Sequence, residues 1–536
     1  MESASTPAEA PGASGLPGPG SSGAPAPTAP PGPPAPPAPR VTGFKPPFDD
    51  IVAGLTVALV LVPQAVAYAA LAGLPPAAGL VASMFPLLAA AALGSSPILQ
   101  TGPTALTALL TLGVLASSFV PGTPSFVQAA ALLAVLVGVV RFLAGIFGIG
   151  GIAYFMSLPV LRGFTSGAAV LIIASQLAAA FGVEARGLSV WRAVWHTLTS
   201  PGSWNLSAIL LTVATLLLVR GLRRVSPLLP GALFAVVLGI LVSRIFGHPM
   251  PVIGSFSLEF PIPTLALPWE HTGRLALGAA VIAIVGFAEP AAIARTFTPR
   301  GKYWNADREL LAQGAANLVS GLMRGMPVGG SFSRSAVNQL AGARSRLSGA
   351  VAGIAVIGFF PFAFVLADLP LAVLAGIVIG ASTSLLQLRQ LVELWRYAKL
   401  QATTALVTFA LTLVLAPRID YAVVLGISLA LFAHLYREAQ LGVRIDREGS
   451  EVRINLEGVL WFGSMQALEK SLIRLEADLA GVERVVLDVS RIGRVDFSSL
   501  MLINDTQSRL KQTGVEVQVV GLHGRGEMVM GRIRRG

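Results

Sequence analysis

The sequence predicts an α-helical membrane protein: fourteen transmembrane segments in two inverted sets of seven, then a small cytoplasmic α/β domain. Three observations lead there. Hydrophobic residues make up 54% of the 536 and charged residues only 12%, whereas a soluble domain is about 25% charged. Charge then jumps near Arg437: residues 51–436 hold 21 Lys+Arg and 9 Asp+Glu, whereas the 100 residues 437–536 hold 15 and 14. Finally, two polar, proline-bearing spans recur seven segments apart, each followed at nearly the same distance by a glycine-rich polar stretch.

Composition also excludes function classes. The absence of Cys removes thiolate nucleophiles, Cys-ligated zinc, iron–sulfur clusters and disulfides. The five His form no pair at metal-ligand spacing, and no Ser/His/Asp set is placed together, so neither an enzyme nor a metal site is expected. Net charge is +11, but the basic residues are scattered among apolar segments or mixed with acids. No face for nucleic acid is in view.

Residues 1–44 read as a proline-rich tail. The first 40 contain 13 Pro and 6 Gly, too little apolar surface to offset chain entropy, so disorder is expected. The tail lacks the basic start and apolar core of a signal peptide. Its run Ala29-Pro30-Pro31-Gly32-Pro33-Pro34 has the composition of a polyproline ligand, but the plainer reading is a solvated tail.

Residues 45–436 form the membrane domain. A span needs about 20 apolar residues, and candidates start near Ile51, Pro76, Pro103, Ser125, Leu158, Ser203 and Leu229 in the first half. In the second half they start near Thr272, Ala306, Phe332, Leu347, Leu371, Thr403 and Ile419. The segments at Pro103 and Phe332 are short, polar and bounded by Gly and Pro. With the N-terminus inside, twelve basic residues, among them Arg220, Arg223, Arg224, Arg300 and Lys302, flank cytoplasmic loops. Six (Arg186, Arg192, Arg244, Arg274, Arg324 and Arg418) fall on the other side. That bias follows the positive-inside rule and places both termini in the cytoplasm of a multi-pass protein of the plasma (inner) membrane.

The repeat locates a site. The first span reads Val62-Pro63-Gln64-Ala65-Val66-Ala67-Tyr68 and the eighth Ala288-Glu289-Pro290-Ala291. Gly102 follows Gln64 by 38 residues, in Gly102-Pro103-Thr104; Gly330 follows Glu289 by 41, in Gly330-Ser331-Phe332-Ser333-Arg334. Seven is odd, so the second copy is inverted. Paired Gly/Pro-interrupted segments at matching positions point to a transport site at the bilayer midplane. Non-helical backbone there must line a cavity or be buried in protein, and each helix starting there exposes unpaired N–H groups and about half a positive charge. Two such ends facing one another, with the hydroxyls of Thr104, Ser331 and Ser333 and the charge of Arg334, favour a small anion. A carboxylate is costly to keep charged in lipid unless paired. Glu289 is therefore either a proton-coupling group or the partner of Arg334 or Arg295.

Residues 437–536 read as strand (Arg453–Phe462), helix with Met465, Leu468, Leu472, Leu475 and Leu479 on one face, strand (Arg484–Val489), helix from Asp496 to about Gln512, and strand (Val515–Val520). Gly481 and Gly514 stop the helices.

Together, Pro63-Gln64-Ala65-Val66-Ala67-Tyr68-Ala69, Gly102-Pro103-Thr104, Glu289-Pro290 with Ala294-Arg295, and Ser331-Phe332-Ser333-Arg334-Ser335-Ala336-Val337-Asn338 resemble the SulP family of anion transporters over about residues 45–530. Asp496-Phe497-Ser498-Ser499 resembles the loop of its STAS domain. The resemblance implies a core domain moving elevator-like against a gate domain, a homodimer, and an anion site between the third and tenth half-helices. By position its residues are Gln64, Tyr68, Thr104, Glu289 and Ser331 through Arg334. In related STAS proteins the serine at Ser498 is phosphorylated; Phe497 and Ser499 depart from that pattern, and the plainer role of Ser498 is a helix N-cap.

The expected function is secondary active transport of a dicarboxylate, sulfate or bicarbonate with a proton, with no cofactor beyond the coupling ion. By the same resemblance, Glu rather than Asp favours proton over sodium. An uncoupled or sodium-coupled exchanger or channel is the alternative within transport, and a membrane-tethered STAS signalling scaffold the alternative outside it.

Overall fold

The computed structural model describes residues 48–151, 157–185, 187–247, 250–256, 259–298, 304–477, 480–512 and 514–533. The proline-rich tail, Arg186, Arg300, Lys302 and Leu479 lie outside them. The first half comprises α1 (Phe48–Leu71), α2 (Pro76–Val81), α3 (Phe85–Leu93), a two-residue strand β1 (Thr101–Gly102), α4 (Ala105–Leu115) and α5 (Pro124–Ile146). It continues through α6 (Leu158–Phe181), α7 (Val190–Thr199), α8 (Leu206–Val225) and α9 (Gly231–Ile245). The second half runs in a similar order, with one helix where the first has α2 and α3. It has α10 (Thr272–Phe297), α11 (Ala306–Leu322), β2 (Gly329–Gly330), α12 (Phe332–Leu340) and α13 (Leu347–Phe359), then α14 (Leu371–Ser382), α15 (Leu388–Tyr397), α16 (Lys399–Val414) and α17 (Ile419–Glu438).

Helices dominate because a hydrocarbon environment leaves backbone N–H and C=O groups no other partners. Every one of the fourteen expected segments coincides with a helix, but nine helices among the described residues are long and apolar enough to cross a membrane. Two of the others are short for a structural reason. The 11 residues of α4 and 9 of α12 reach about 16 and 13 Å at 1.5 Å per residue, roughly half of a 30 Å hydrocarbon core. Each is preceded by extended chain, and the two extended pieces meet. β1 and β2 pair antiparallel, Thr101 opposite Gly330 and Gly102 opposite Gly329.

Two short helices are amphipathic additions that the sequence reading passed over as connections. α7 exposes Trp191 and Trp195, and α15 exposes Val392 and Trp395, each beside charged residues. They follow α6 and α14, which occupy matching places in the two halves.

The C-terminal unit is a four-stranded sheet in the order β3 (Gly442–Glu448), β4 (Glu451–Leu460), β5 (Arg484–Val495), β6 (Glu516–Val520). β3 and β4 form an antiparallel hairpin; β4–β5 and β5–β6 are parallel. Helices α18 (Met465–Ala477) and α19 (Phe497–Gln512) make the crossovers, and α20 (Arg525–Ile533) follows β6. Leu468 and Leu472 of α18 and Leu500, Ile503 and Leu510 of α19 pack with Val485, Leu487 and Val489 as one core. Strand β3 was missed in the sequence because nearly all its side chains are exposed, so no apolar alternation marks it. The Trp461 indole donates to the Glu438 carbonyl at the end of α17 (3.0 Å).

Candidate functional site

The crossing of β1 and β2 sets the geometry. Gly102 has φ +146°, a conformation that L side chains rarely adopt. At Gly330 an added β-carbon would lie 3.0 Å from the Pro290 Cα, so α10 presses directly on the strand. Beyond the two pairs, the Ser331 amide donates to the Gln100 carbonyl (3.0 Å) and the Gln100 amide to Ser335 Oγ (2.9 Å). Each strand then turns into a helix whose first N–H groups lack intrahelical partners.

The two helix starts are capped differently. Thr104 Oγ1 accepts the Thr107 amide (3.2 Å) while Thr107 Oγ1 accepts the Thr104 amide (3.2 Å), a reciprocal capping box. Ser331 Oγ accepts the Arg334 amide at a long 3.5 Å and lies 3.3 Å from Ser333 Oγ.

Arg334 is completely buried. Its Nη1 donates to Gln64 Oε1 (3.2 Å), joining α12 to α1 across 270 residues of sequence. Its Nε and Nη2 have no hydrogen-bond partner among the described residues, and a β-carbon at Gly102 would lie 3.3 Å from Nη2. A guanidinium carries five donors and cannot shed its charge; a buried one with open N–H groups can take an anionic acceptor. Tyr68, one turn beyond Gln64 on α1, and Glu289 of α10 both lie within electrostatic range of Arg334. The Phe332 amide, at the first turn of α12, faces the Glu289 carboxylate. Among the described residues no ion pair joins Glu289 to Arg334, whose fork is turned to Gln64.

The structure thus brings Gln64, Tyr68, Gly102, Glu289, Ser331 and Arg334 around one point, with Ser333 beside Ser331. Thr104 stands at the start of α4, its oxygen engaged in the cap. Phe332 contributes its amide, while its half-exposed ring packs at 5.9 Å against Phe297. Ser498 lies in the C-terminal unit, exposed on the first turn of α19. It does not cap that helix: Asp496 does, with Oδ1 accepting the Ser499 amide (2.8 Å) and Oδ2 the Phe462 amide (2.9 Å).

Sequence reasoning missed the supports behind the crossing. Asn317 of α11 accepts the Val328 amide (2.9 Å) and donates to the Val328 carbonyl (3.0 Å). Gln313, one turn earlier, donates to Thr101 Oγ1 (2.8 Å). Arg141 of α5 is buried as deeply as Arg334. The available signal was its isolation: it is the single charged residue between Pro124 and Ile146, and an ionisable group inside a span is a functional candidate by default.

Comparison with known proteins adds the following. The sulfate permease family model matches residues 48–408 and the STAS domain model residues 443–534. A probable sulfate transporter of Mycobacterium tuberculosis is 36% identical over 396 residues, covering 73% of this chain and 70% of that one. Probable sulfate transporter 4.2 of Arabidopsis thaliana is 28% identical over 518 residues, covering 88% and 75%. Among solved structures, the murine solute carrier 26 family member A9 anion transporter in its inward-facing state superposes with a TM-score of 0.83 at 20% identity, over 90% of this chain and 87% of that one. The transmembrane domain of a cyanobacterium bicarbonate transporter gives 0.61 at 24% identity, over 73% and 98%. At these identities the two structures share the fold with this chain.

Proposed function

The chain belongs to the sulfate permease family, anion transporters rather than enzymes, and carries a STAS domain; from that premise we propose that it is a proton-coupled symporter of a small oxyanion. The anion sits between the starts of α4 and α12, held by their free N–H groups, by Arg334, and by Gln64, Tyr68, Ser331 and Ser333. Arg334 supports this reading best: it is a buried guanidinium with two nitrogens lacking hydrogen-bond partners among the described residues, set against Gly102 where two half-helices begin. Such a group is stable only if something negative reaches it. Glu289, facing the first turn of α12, is the proton carrier: protonated, it leaves that positive helix end to the anion, and ionised, it competes for it.

The repeated element order and the antiparallel crossing support fourteen segments in two inverted sets of seven. Helices α1–α5 and α10–α13 form the moving core, and α6–α9 with α14–α17 the gate. Both termini and the STAS domain are cytoplasmic, the membrane is the plasma membrane, and two copies associate. Relatives named as sulfate transporters make sulfate the first substrate to test. The test is uptake of labelled sulfate into proteoliposomes, with bicarbonate and dicarboxylates as competitors, with and without an inward proton gradient. Acceleration by the gradient supports symport; indifference leaves an uncoupled exchanger or channel.

A further inference from the structure

Arg141 is a full positive charge inside a span, 1% exposed. Its hydrogen bonds go to three main-chain carbonyls. Nε donates to Ala283 O (3.0 Å) and Nη2 to Ile282 O (3.0 Å), both on α10, while Nη1 donates to Val328 O (3.0 Å), the residue before β2. Burying a charge without a counter-ion is costly, and a neutral side chain would fill the same volume more cheaply. A planar fork that grips two separate elements at once is what an arginine alone supplies.

The elements it joins are those of the site. Residues 282 and 283 lie about two turns before Glu289 on α10, and Val328 leads into the strand that turns into α12. Arg141 itself stands on a rigid rail, because α5 and α11 run backbone against backbone. A β-carbon at Gly138 would lie 2.5 Å from the Leu318 amide nitrogen, and one at Gly314 2.5 Å from that of Phe142. From the same rail Asn317 takes the second position on the Val328 carbonyl. Gly286, facing the guanidinium, leaves it room: a β-carbon there would sit 2.5 Å from Nη2.

We propose that Arg141 is a positioning residue for anion binding: its fork locks β2 to α10 so that the α12 start and Arg334 are held against Gly102. This rests on the anion-site reading above. Arg141 touches no anion. Its loss lets the strand shift relative to Glu289 and Arg334, and a displacement of about 1 Å at such a site is felt strongly.

The experiment compares Arg141→Met, Arg141→Lys, Gly286→Ala and the double variant Arg141→Met/Gly286→Ala. Each is purified, checked for a monodisperse peak and wild-type melting, and assayed for sulfate uptake in proteoliposomes. The expected result is a KM raised about tenfold in both Arg141 variants, since Lys keeps the charge and loses the fork. Gly286→Ala pushes on the guanidinium and raises KM likewise, yet adds nothing on top of Arg141→Met, the non-additivity of groups in contact. An unchanged KM in folded Arg141 variants, restoration by Lys, or additive effects in the double variant would overturn the proposal. Should the Arg141 variants not fold, Gly286→Ala decides alone, and a wild-type KM there overturns it. A wild-type protein that moves none of the anions fails at the earlier step, overturning the site reading and this inference with it.

Discussion

In the first half of the chain the crossing is made from Gln64, Gly102 and Thr104, none of them charged. At the matching places in the second half stand Glu289, Gly330 and Ser331, with Arg334 three residues on. The same parts recur in both: a proline-bearing helix, two extended residues, a capped short helix. The two halves supply a scaffold with two opposed helix starts, but of these matched places only those of the second half carry charge. In the neutral half the Thr104 and Thr107 hydroxyls and amides close on one another in a complete box, leaving only main-chain N–H groups open at the α4 start. The charged half leaves donors open. On the reading proposed above, the open half binds the anion and the closed half holds it in place.

The largest effect expected from breaking this asymmetry is at Arg334. Arg334→Met removes the open donors and leaves Gln64 Oε1 without its partner. Sulfate uptake by folded protein should fall at least about 100-fold, the range for truncating one member of a buried charged contact. Uptake within a few-fold of wild type would mean that the helix starts alone bind the anion.

Glu289→Gln removes the other charge. If Glu289 carries the proton, this variant still binds sulfate, and its uptake no longer responds to an inward proton gradient. A retained pH response would move the coupling group elsewhere.

The converse substitution gives the neutral half a charge. Gln64→Glu sets a carboxylate about where Oε1 now lies, 3.2 Å from Arg334 Nη1. A charge-assisted pair forms, Arg334 is neutralised, and the KM for sulfate should rise about tenfold. If two charged halves work as well as one, the asymmetry is incidental.

What the sequence made legible follows the range of the interactions. Gly102-Pro103 and Gly329-Gly330 are local punctuation, so the two interrupted segments could be read directly, and their recurrence at 38 and 41 residues pointed to opposed helix starts. The Gln64–Arg334 bond spans 270 residues and depends on a packing angle that no window reveals. Arg141 was passed over for a related reason: its partners are main-chain carbonyls, which every residue possesses, so no complementary side chain announced it and its isolation in the span was the one signal. At the other end of the chain, Ser498 fits a cap by residue type, but Asp496 stands two residues earlier and reaches both the Ser499 and Phe462 amides. Competition between adjacent capping residues is settled by where the helix begins, and Phe497 is already helical.

The smallest effects separate holding from binding. Thr107→Val takes one hydroxyl from the closed half while keeping the side chain's shape. It leaves the Thr104 amide without its acceptor, costing about 1 kcal/mol of stability, with little change in KM. Ser333→Ala takes one hydroxyl from the open half, where among the described residues its hydrogen-bond partner is Ser331 Oγ at 3.3 Å. Little stability is lost, and KM for sulfate should rise about threefold to tenfold, one hydrogen bond being worth roughly 0.5–1.5 kcal/mol net. Melting and uptake measured on the same preparations should therefore move in opposite patterns. If both variants lose stability and neither changes KM, the second half is closed like the first, and the anion is held by Arg334 and the helix starts without help from Ser333.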